Sequence, residues 1–221
     1  YFNQFGRTTA DFYDLKRLDP SYRIYYGKDD YLDIPSGVEA LCNLFESLES
    51  GSGPRLLQFL AEAKYKYSVG IDRLVYKPGL SATELLDGEV IRGLFRLQIF
   101  QSLSRHVRKY FRHPRIIQLL EFPVLFLGAT PEKTPALYSL MNYADMALGT
   151  WYPMGGMYKI IEAMVSIARQ EGVDFRYEQP VSRIEVSKSR AQGVLVRDAF
   201  FPADSVVAAA DYHHVEEKLL L

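Results

Sequence analysis

The stretch Trp151-Tyr152-Pro153-Met154-Gly155-Gly156-Met157 holds the residues best suited to contact a reacting ligand. Two adjacent glycines ahead of a helix let the backbone approach a ligand closely and leave free N–H groups at the helix N-terminus. The same pattern also serves a plain strand-to-helix turn, and the downstream sequence decides between the two. A second constellation is basic. Arg105, Arg108, Lys109 and Arg112 follow i, i+3, i+4, i+7 spacing, which puts them on one helix face. Such a face is either solvated or the underside of an interfacial helix seated on anionic lipid. The four histidines, His106, His113, His213 and His214, match no zinc-helix spacing, and no metal site is expected. No serine nucleophile elbow or phosphate loop is present. The one Gly-x-Gly, at Gly51-Ser52-Gly53, has Leu56 where a dinucleotide fingerprint needs its third glycine.

The elements that must position these residues belong to an ordinary globular chain. Hydrophobic residues make up 48% of the 221 positions and charged residues 24%, enough to bury a sizeable core in one or two domains. The net charge of -1 gives no bulk pull toward nucleic acid. Cys42 is the single cysteine, so no internal disulfide forms and a reducing, cytoplasmic setting is the default. It falls on an apolar helix stripe, where a buried, inert thiol is expected. Apolar runs such as 122–129 are too short to span a bilayer. The chain starts at Tyr1 rather than Met and is expected to be an internal piece of a longer protein.

Tyr22 to Tyr26 and Tyr31 to Ile34 read as a β-hairpin turning at Gly27-Lys28-Asp29-Asp30. Ser36 follows Pro35 and suits a helix cap. The helix it would open carries Val38, Leu41, Cys42, Phe45 and Leu48 on one stripe, to about Glu49. A second helix from Pro54 buries Leu56, Leu60, Ala63 and Tyr67. A third opens at Ser81-Ala82-Thr83-Glu84, a capping-box pattern, and helical sequence runs on to about Phe111, interrupted near Asp87-Gly88. From Pro114 a helix through Phe126 shows almost no polar face, so it is buried or lines an apolar cavity. Another from Thr134-Pro135 aligns Leu137, Leu140, Met141, Ala144 and Leu148. Beyond Gly149 come the Trp151 stretch, an amphipathic helix from Met157 to Gln170 capped at Gly172, and strands at 173–177, 181–187, 193–197 and 205–209. Met157, Ile160, Ile161, Met164, Val165 and Ala168 form the apolar face of that helix. A last helix starts at Asp211, with His213-His214 in its capping neighbourhood.

In order and spacing, this run resembles the central part of the phytoene desaturases, within the flavin amine-oxidase-like proteins. The resemblance rests on an aromatic residue, a proline and two glycines at Trp151, Pro153, Gly155 and Gly156, then the helix. Gly172-Val173 and Val181-Ser182-Arg183-Ile184 come next, then Asp204-Ser205-Val206-Val207 running into Ala210-Asp211. Upstream it rests on Leu18-Asp19-Pro20-Ser21-Tyr22-Arg23-Ile24, on Leu127-Gly128-Ala129-Thr130-Pro131 and on Leu137-Tyr138-Ser139-Leu140-Met141. It covers nearly the whole chain.

The resemblance implies an α+β (α/β-derived) chain: a helix-rich substrate domain beside part of an FAD-binding sheet domain, without the glycine fingerprint. Its expected divisions are 1–35 (hairpin and connection), 36–149 (substrate domain) and 150–221 (sheet and part of the flavin domain). Val181, Ala208, Ala209 and Ala210 would touch FAD. Trp151, Pro153, Gly155 and Gly156 would lie near substrate and flavin, and Phe122, Phe126, Tyr138 and Met141 would wall an apolar tunnel. Tyr143 and Asp145 are the candidate proton acceptors. Arg105, Arg108, Lys109 and Arg112 would meet the cytoplasmic face of a membrane. The implied reaction moves a hydride from an allylic carbon of an apolar isoprenoid to flavin, with loss of a neighbouring proton, and the chain alone is expected to be inactive. Retinol saturase-like, carotene isomerase-like or amine-oxidising chemistry, and a non-catalytic polyene or lipid carrier, remain the alternatives.

Overall fold

The computed structural model describes residues 1–71, 75–76 and 97–220. The expected capping box at Ser81 and the interruption at Asp87-Gly88 lie outside the described residues. The chain is α+β, and it forms two compact units, Tyr1–Ile161 and Glu162–Leu221.

In the first unit, β1 (Leu15–Arg17) precedes the hairpin of β2 (Tyr22–Tyr25) and β3 (Tyr31–Ile34). The hairpin is in register from Tyr22 opposite Ile34 to Tyr25 opposite Tyr31, as the alternation of aromatic and β-branched residues requires. Helix α1 (Val38–Leu48) then begins, with Gly37 rather than Ser36 at the N-cap. The Ser36 amide is taken instead by Asp19 Oδ1 at 3.0 Å. Helix α2 (Ser52–Val69) starts two residues before Pro54. The Glu46 carboxylate accepts the Gly51 amide at 2.6 Å and the Gly53 amide at 3.0 Å, satisfying two donors at the helix start.

Helix α3 (Leu103–Tyr110) is capped by Ser102, which accepts from the Arg105 amide, and α4 (Pro114–Glu121) has proline in its first turn. The apolar run after Pro114 is not one helix to Phe126. Pro123 has no N–H to donate to the residue four back, so the chain tightens into a 3₁₀ run, Phe122–Leu127, that ends at Gly128 in the left-handed region. The stretch from Thr134 also departs from a regular helix. It passes from 3₁₀ (Ala136–Ser139) through α5 (Leu140–Tyr143) to a π turn (Ala144–Leu148).

The core of this unit is assembled from α1 to α4. Leu41, Phe45, Leu56, Phe59, Val107, Phe111 and Leu119 are almost or entirely removed from solvent. Phe45 and Phe59 both meet the Phe111 ring, at centroid distances of 5.5 and 6.1 Å. Cys42 is partly buried against this core, with Sγ 3.6 Å from the Gly53 carbonyl, and burial pushes its thiol pKa up. Strand β4 (Trp151–Pro153) pairs with β1, placing Trp151 opposite Arg17.

Helix α6 (Tyr158–Gln170) ends in a Schellman closure. The Val173 amide reaches the Ala168 carbonyl, the Gly172 amide reaches Arg169, and Gly172 has φ +87°. Its most buried residues are Ala163 and Ile167, with Ile160 and Met164 partly covered. The face therefore differs from the sequence expectation: Ile161 and Met157 are exposed.

The second unit carries an antiparallel sheet of β5 (Val181–Ser187), β6 (Arg190–Val196) and β7 (Ala199–Pro202), in that order. Lys188 and Ser189 both have positive φ and form the two-residue turn between β5 and β6. The expected strands at 173–177 and 205–209 are not formed, because neither segment finds a ladder partner among the described residues. β7, which the sequence pattern does not signal, supplies the third strand. Helix α7 (Tyr212–His214) is capped by Asp211, whose Oδ1 accepts from the His214 amide at 3.0 Å.

Candidate functional site

Pleating turns Tyr22, Ile24 and Tyr26 toward one side of the hairpin, while Arg23 and Tyr25 stay exposed. Opposite them the 3₁₀ run contributes Phe122, Leu125 and Phe126, and the 136–148 segment contributes Leu140, Met141 and Ala144. Tyr67 and Ile71, at and beyond the end of α2, complete the lining. These groups enclose a cavity of about 1050 Å³ in the first unit, lined almost wholly by apolar atoms. Its volume is at the upper end of the range of small-molecule sites.

The cavity brings together Phe122, Phe126, Met141 and Asp145 of the residues singled out from sequence. Tyr138 packs against the core instead, and the Tyr143 ring meets Tyr67 at 5.5 Å. Trp151, Pro153, Gly155 and Gly156 are not among its lining residues, although the adjoining Thr150 is. Tyr22, Ile24, Tyr26, Tyr67 and Ile71 are among the wall residues that sequence reasoning missed. The alternation in the hairpin was the signal for the first three.

A hydrogen-bonded polar pair interrupts the apolar wall. The Tyr22 hydroxyl donates to Asp145 Oδ2 at 2.6 Å, and the Thr150 hydroxyl donates to Asp145 Oδ1 at 3.2 Å. Burial, reinforced by the Asp145 carboxylate, holds the Tyr22 phenol well above its usual pKa. The pair therefore presents a neutral phenol beside a carboxyl group whose two oxygens each accept a hydrogen bond.

The Trp151 stretch is held by backbone bonds from Leu18 to Thr150 and from Met154 to Asp14, both on the β1 side. The indole N–H donates to the Leu148 carbonyl at 3.0 Å, and the Arg17 guanidinium lies 6.0 Å from the ring centroid. Pro153 is buried. Gly155 and Gly156 have φ of +90° and +103°, a backbone that a side chain would strain. At Gly149 a Cβ would also sit 2.6 Å from Arg17 Nε.

The basic stripe is shorter than its spacing implied. Phe111 leaves the helix in extended conformation to bury its ring, so Arg112 stands beyond α3 and only Arg105, Arg108 and Lys109 share the helix. The Glu49 carboxylate accepts the Arg112 and His113 amides at 2.8 and 2.7 Å, fixing this exit. Arg108 bonds Glu121 and Ser104, and Lys109 reaches Gln101 Oε1 at 2.7 Å. Next to Glu121 begins an apolar lip. Leu125 is 63% and Phe126 74% exposed, and both also line the cavity. Among the described residues no helix is long and apolar enough to cross a membrane.

In the second unit, Val181 opens β5, whose edge opposite β6 pairs with no strand among the described residues. Ala208, Ala209 and Ala210 lie in an exposed, unpaired run.

Comparison with known proteins assigns the class. The profile of the flavin containing amine oxidoreductases matches residues 1–221, and the chain belongs to that family. Similar proteins include the carotenoid 3,4-desaturase of Haloarcula japonica, 33% identical over all of this chain and 45% of its own length. The zeta-carotene-forming phytoene desaturase of Myxococcus xanthus is 32% identical over 99% of this chain and 43% of its own. A 4,4'-diapophytoene desaturase (4,4'-diaponeurosporene-forming) of Staphylococcus aureus is 25% identical over 99% and 44%. The chain thus spans less than half the length of these relatives.

Proposed function

We propose that the protein to which this chain belongs is an FAD-dependent desaturase of an apolar isoprenoid, a carotenoid precursor. The observation that carries this reading is the cavity of about 1050 Å³, lined predominantly by apolar atoms, in a chain of a flavin-containing family. A hydrocarbon offers no polar handle, so it is held by shape and dryness, which aromatic and aliphatic walls supply.

The flavin supplies the two-electron acceptor. Desaturation removes a hydride and a proton from neighbouring carbons and leaves a new conjugated double bond. Asp145 is the residue that takes the proton: its carboxyl group stands in the cavity wall, whereas Tyr143 is not among the lining residues. Tyr22 and Thr150 orient that carboxylate. The Gly155-Gly156 backbone and Trp151 form the approach to the flavin. The open edge of β5 at Val181 and the unpaired Ala208–Ala210 run suit backbone contacts to the adenosine and pyrophosphate of FAD. In this arrangement the chain is the substrate domain with part of the flavin domain. The glycine fingerprint is absent from its sequence and would come from elsewhere in the protein.

The exposed Leu125 and Phe126, beside the Arg108–Glu121 pair, suit a peripheral seat on the cytoplasmic face of a membrane, from which the polyene enters. Filling the cavity tests the reading. In the whole protein, Met141→Trp is expected to abolish turnover of phytoene while leaving the bound-flavin absorbance in place. Unchanged turnover would contradict a substrate site here.

A further inference from the structure

Lys66 is one of the largest fully buried side chains, at 1% exposure, and it is not in the cavity wall. Its neighbour Tyr67 is. The Lys66 ammonium donates to the Gln98 side-chain oxygen at 3.0 Å, the Ala136 carbonyl at 3.0 Å and the Ser139 hydroxyl at 2.9 Å. His106 Nε2 stands 3.4 Å away. Ala136 and Ser139 bound the 3₁₀ turn that opens the irregular segment 136–148. That segment then delivers Leu140, Met141, Ala144 and Asp145 to the cavity.

Two features single out this contact. The segment changes from 3₁₀ to α to π within a few turns, and no side chain caps its start. Such a run has competing hydrogen-bond registers, so an external anchor decides where its side chains stand. The anchor is also an expensive one. Burial pushes the Lys66 ammonium pKa down to about 8, with Glu62 opposing and Lys109 adding to the shift. A buried ammonium carries a desolvation cost that hydrogen bonds to three neutral acceptors only partly offset. The Ala136 carbonyl would keep a partner without Lys66, because Ser139 donates to it at 2.9 Å. A lysine here serves geometry better than stability.

We propose that Lys66 is a positioning residue for the cavity: through Ala136 and Ser139 it sets the register of the wall that carries Leu140, Met141, Ala144 and Asp145. The inference rests on reading the cavity as the polyene site.

The test uses the whole FAD-loaded protein with phytoene in liposomes, comparing wild type, Lys66→Met, Ser139→Ala and the double variant. Lys66→Met is expected to keep its flavin and to stay folded, the relief of a buried charge offsetting part of the cost of the lost hydrogen bonds. Its KM should rise about tenfold, with a smaller change in kcat, because a shifted wall weakens binding first. The double variant should be no worse than Lys66→Met, as residues acting through one contact are not additive. Wild-type KM should rise as pH passes through about 8, where Lys66 loses its charge, and this dependence should vanish in Lys66→Met. Among the described residues, the other titratable groups facing Lys66 are His106, Glu62 and Lys109, with Tyr110 bonded to Glu62, and all of them remain in the variant. A folded Lys66→Met with wild-type KM, or one that keeps the pH dependence, overturns the proposal. If Lys66→Met does not fold, Ser139→Ala decides: a several-fold rise in KM supports the proposal and an unchanged KM overturns it. An inactive wild type overturns the functional reading and this inference together. An active wild type with indifferent variants overturns the inference alone.

Discussion

The Tyr22 hydroxyl donates to Asp145 Oδ2 at 2.6 Å, joining the first strand of the hairpin to the π turn 123 residues later. This bond closes the cavity between two segments that no sequence period links. It also supplies the first prediction. Tyr22→Phe removes a hydrogen bond to a charged group and is expected to lower stability by about 1.5–3 kcal/mol, read from urea unfolding. Asp145→Asn keeps the shape but not the basicity. If Asp145 takes the proton, kcat of the whole protein should fall by about 10²–10⁴ with the flavin still bound. A variant with near-wild-type kcat removes Asp145 from that role.

A second prediction concerns acid. The His106 imidazole is buried beside Lys66, and burial above all, then the Lys66 charge, pushes its pKa down to about 4. Glu62, with Oε2 at 3.7 Å, opposes the shift and Lys109 adds to it. The folded state therefore keeps His106 neutral where the unfolded chain already binds a proton. Stability is full above about pH 6.5 and is lost as pH falls from there to about 4, by on the order of 3 kcal/mol in all. Denaturant midpoints taken from pH 7 to pH 4.5 should show this limb, and His106→Leu should flatten it. The same slope in both proteins would assign the acid limb to other groups.

The small sheet yields a third prediction. At Gly193 a Cβ would lie 2.1 Å from the Phe201 carbonyl oxygen, so β6 and β7 cannot close over any side chain. Gly193→Ala is expected to cost at least about 2 kcal/mol, through strain at a close backbone approach. Gly51→Ala is the control. Its φ is +74° but nothing lies within 4 Å of the added carbon, so its cost should be about 1 kcal/mol. Equal costs at the two positions would contradict the packing described for β6 and β7.

Much of this was legible in the sequence where one local signal ruled. The hairpin, α1, the Gly172 cap and the Asp211 cap follow from alternation, apolar period and capping residues, and those interactions are complete within a few residues. The misses have a common cause: a distant partner or a special backbone overrode the local pattern. Pro123 ended a helix that apolar content alone would have continued. Lys188-Ser189 made a tight hairpin turn without glycine, and Ser205 to Ala209, a strand by composition, found nothing to pair with among the described residues. The site was partly legible. Phe122, Phe126, Met141 and Asp145 meet at the cavity, but Tyr22 and Tyr67 reach it only through the tertiary fold. Nothing in the local sequence separates Lys66 from any other helix lysine, because its partners Gln98, Ala136 and Ser139 are distant in the chain.

The proposed membrane seat gives a fourth prediction. Leu125 and Phe126 form an exposed apolar lip, and Arg105, Arg108 and Lys109 lie on the helix whose Arg108 bonds Glu121 nearby. In the whole protein, Leu125→Ser with Phe126→Ser is expected to reduce binding to liposomes of any charge by about tenfold or more, through lost apolar burial. Arg105→Glu with Arg108→Glu should reduce binding only where the liposomes are anionic. Flotation that is unchanged in both variants would place any membrane contact on another surface.

The most direct measurement is of the chemistry. The whole protein, loaded with FAD and given phytoene in liposomes, should develop the visible absorption bands of a longer conjugated polyene, their positions counting the double bonds formed. A protein that binds flavin yet leaves phytoene colourless would contradict phytoene as the substrate. One that neither binds flavin nor changes phytoene would contradict the desaturase assignment itself.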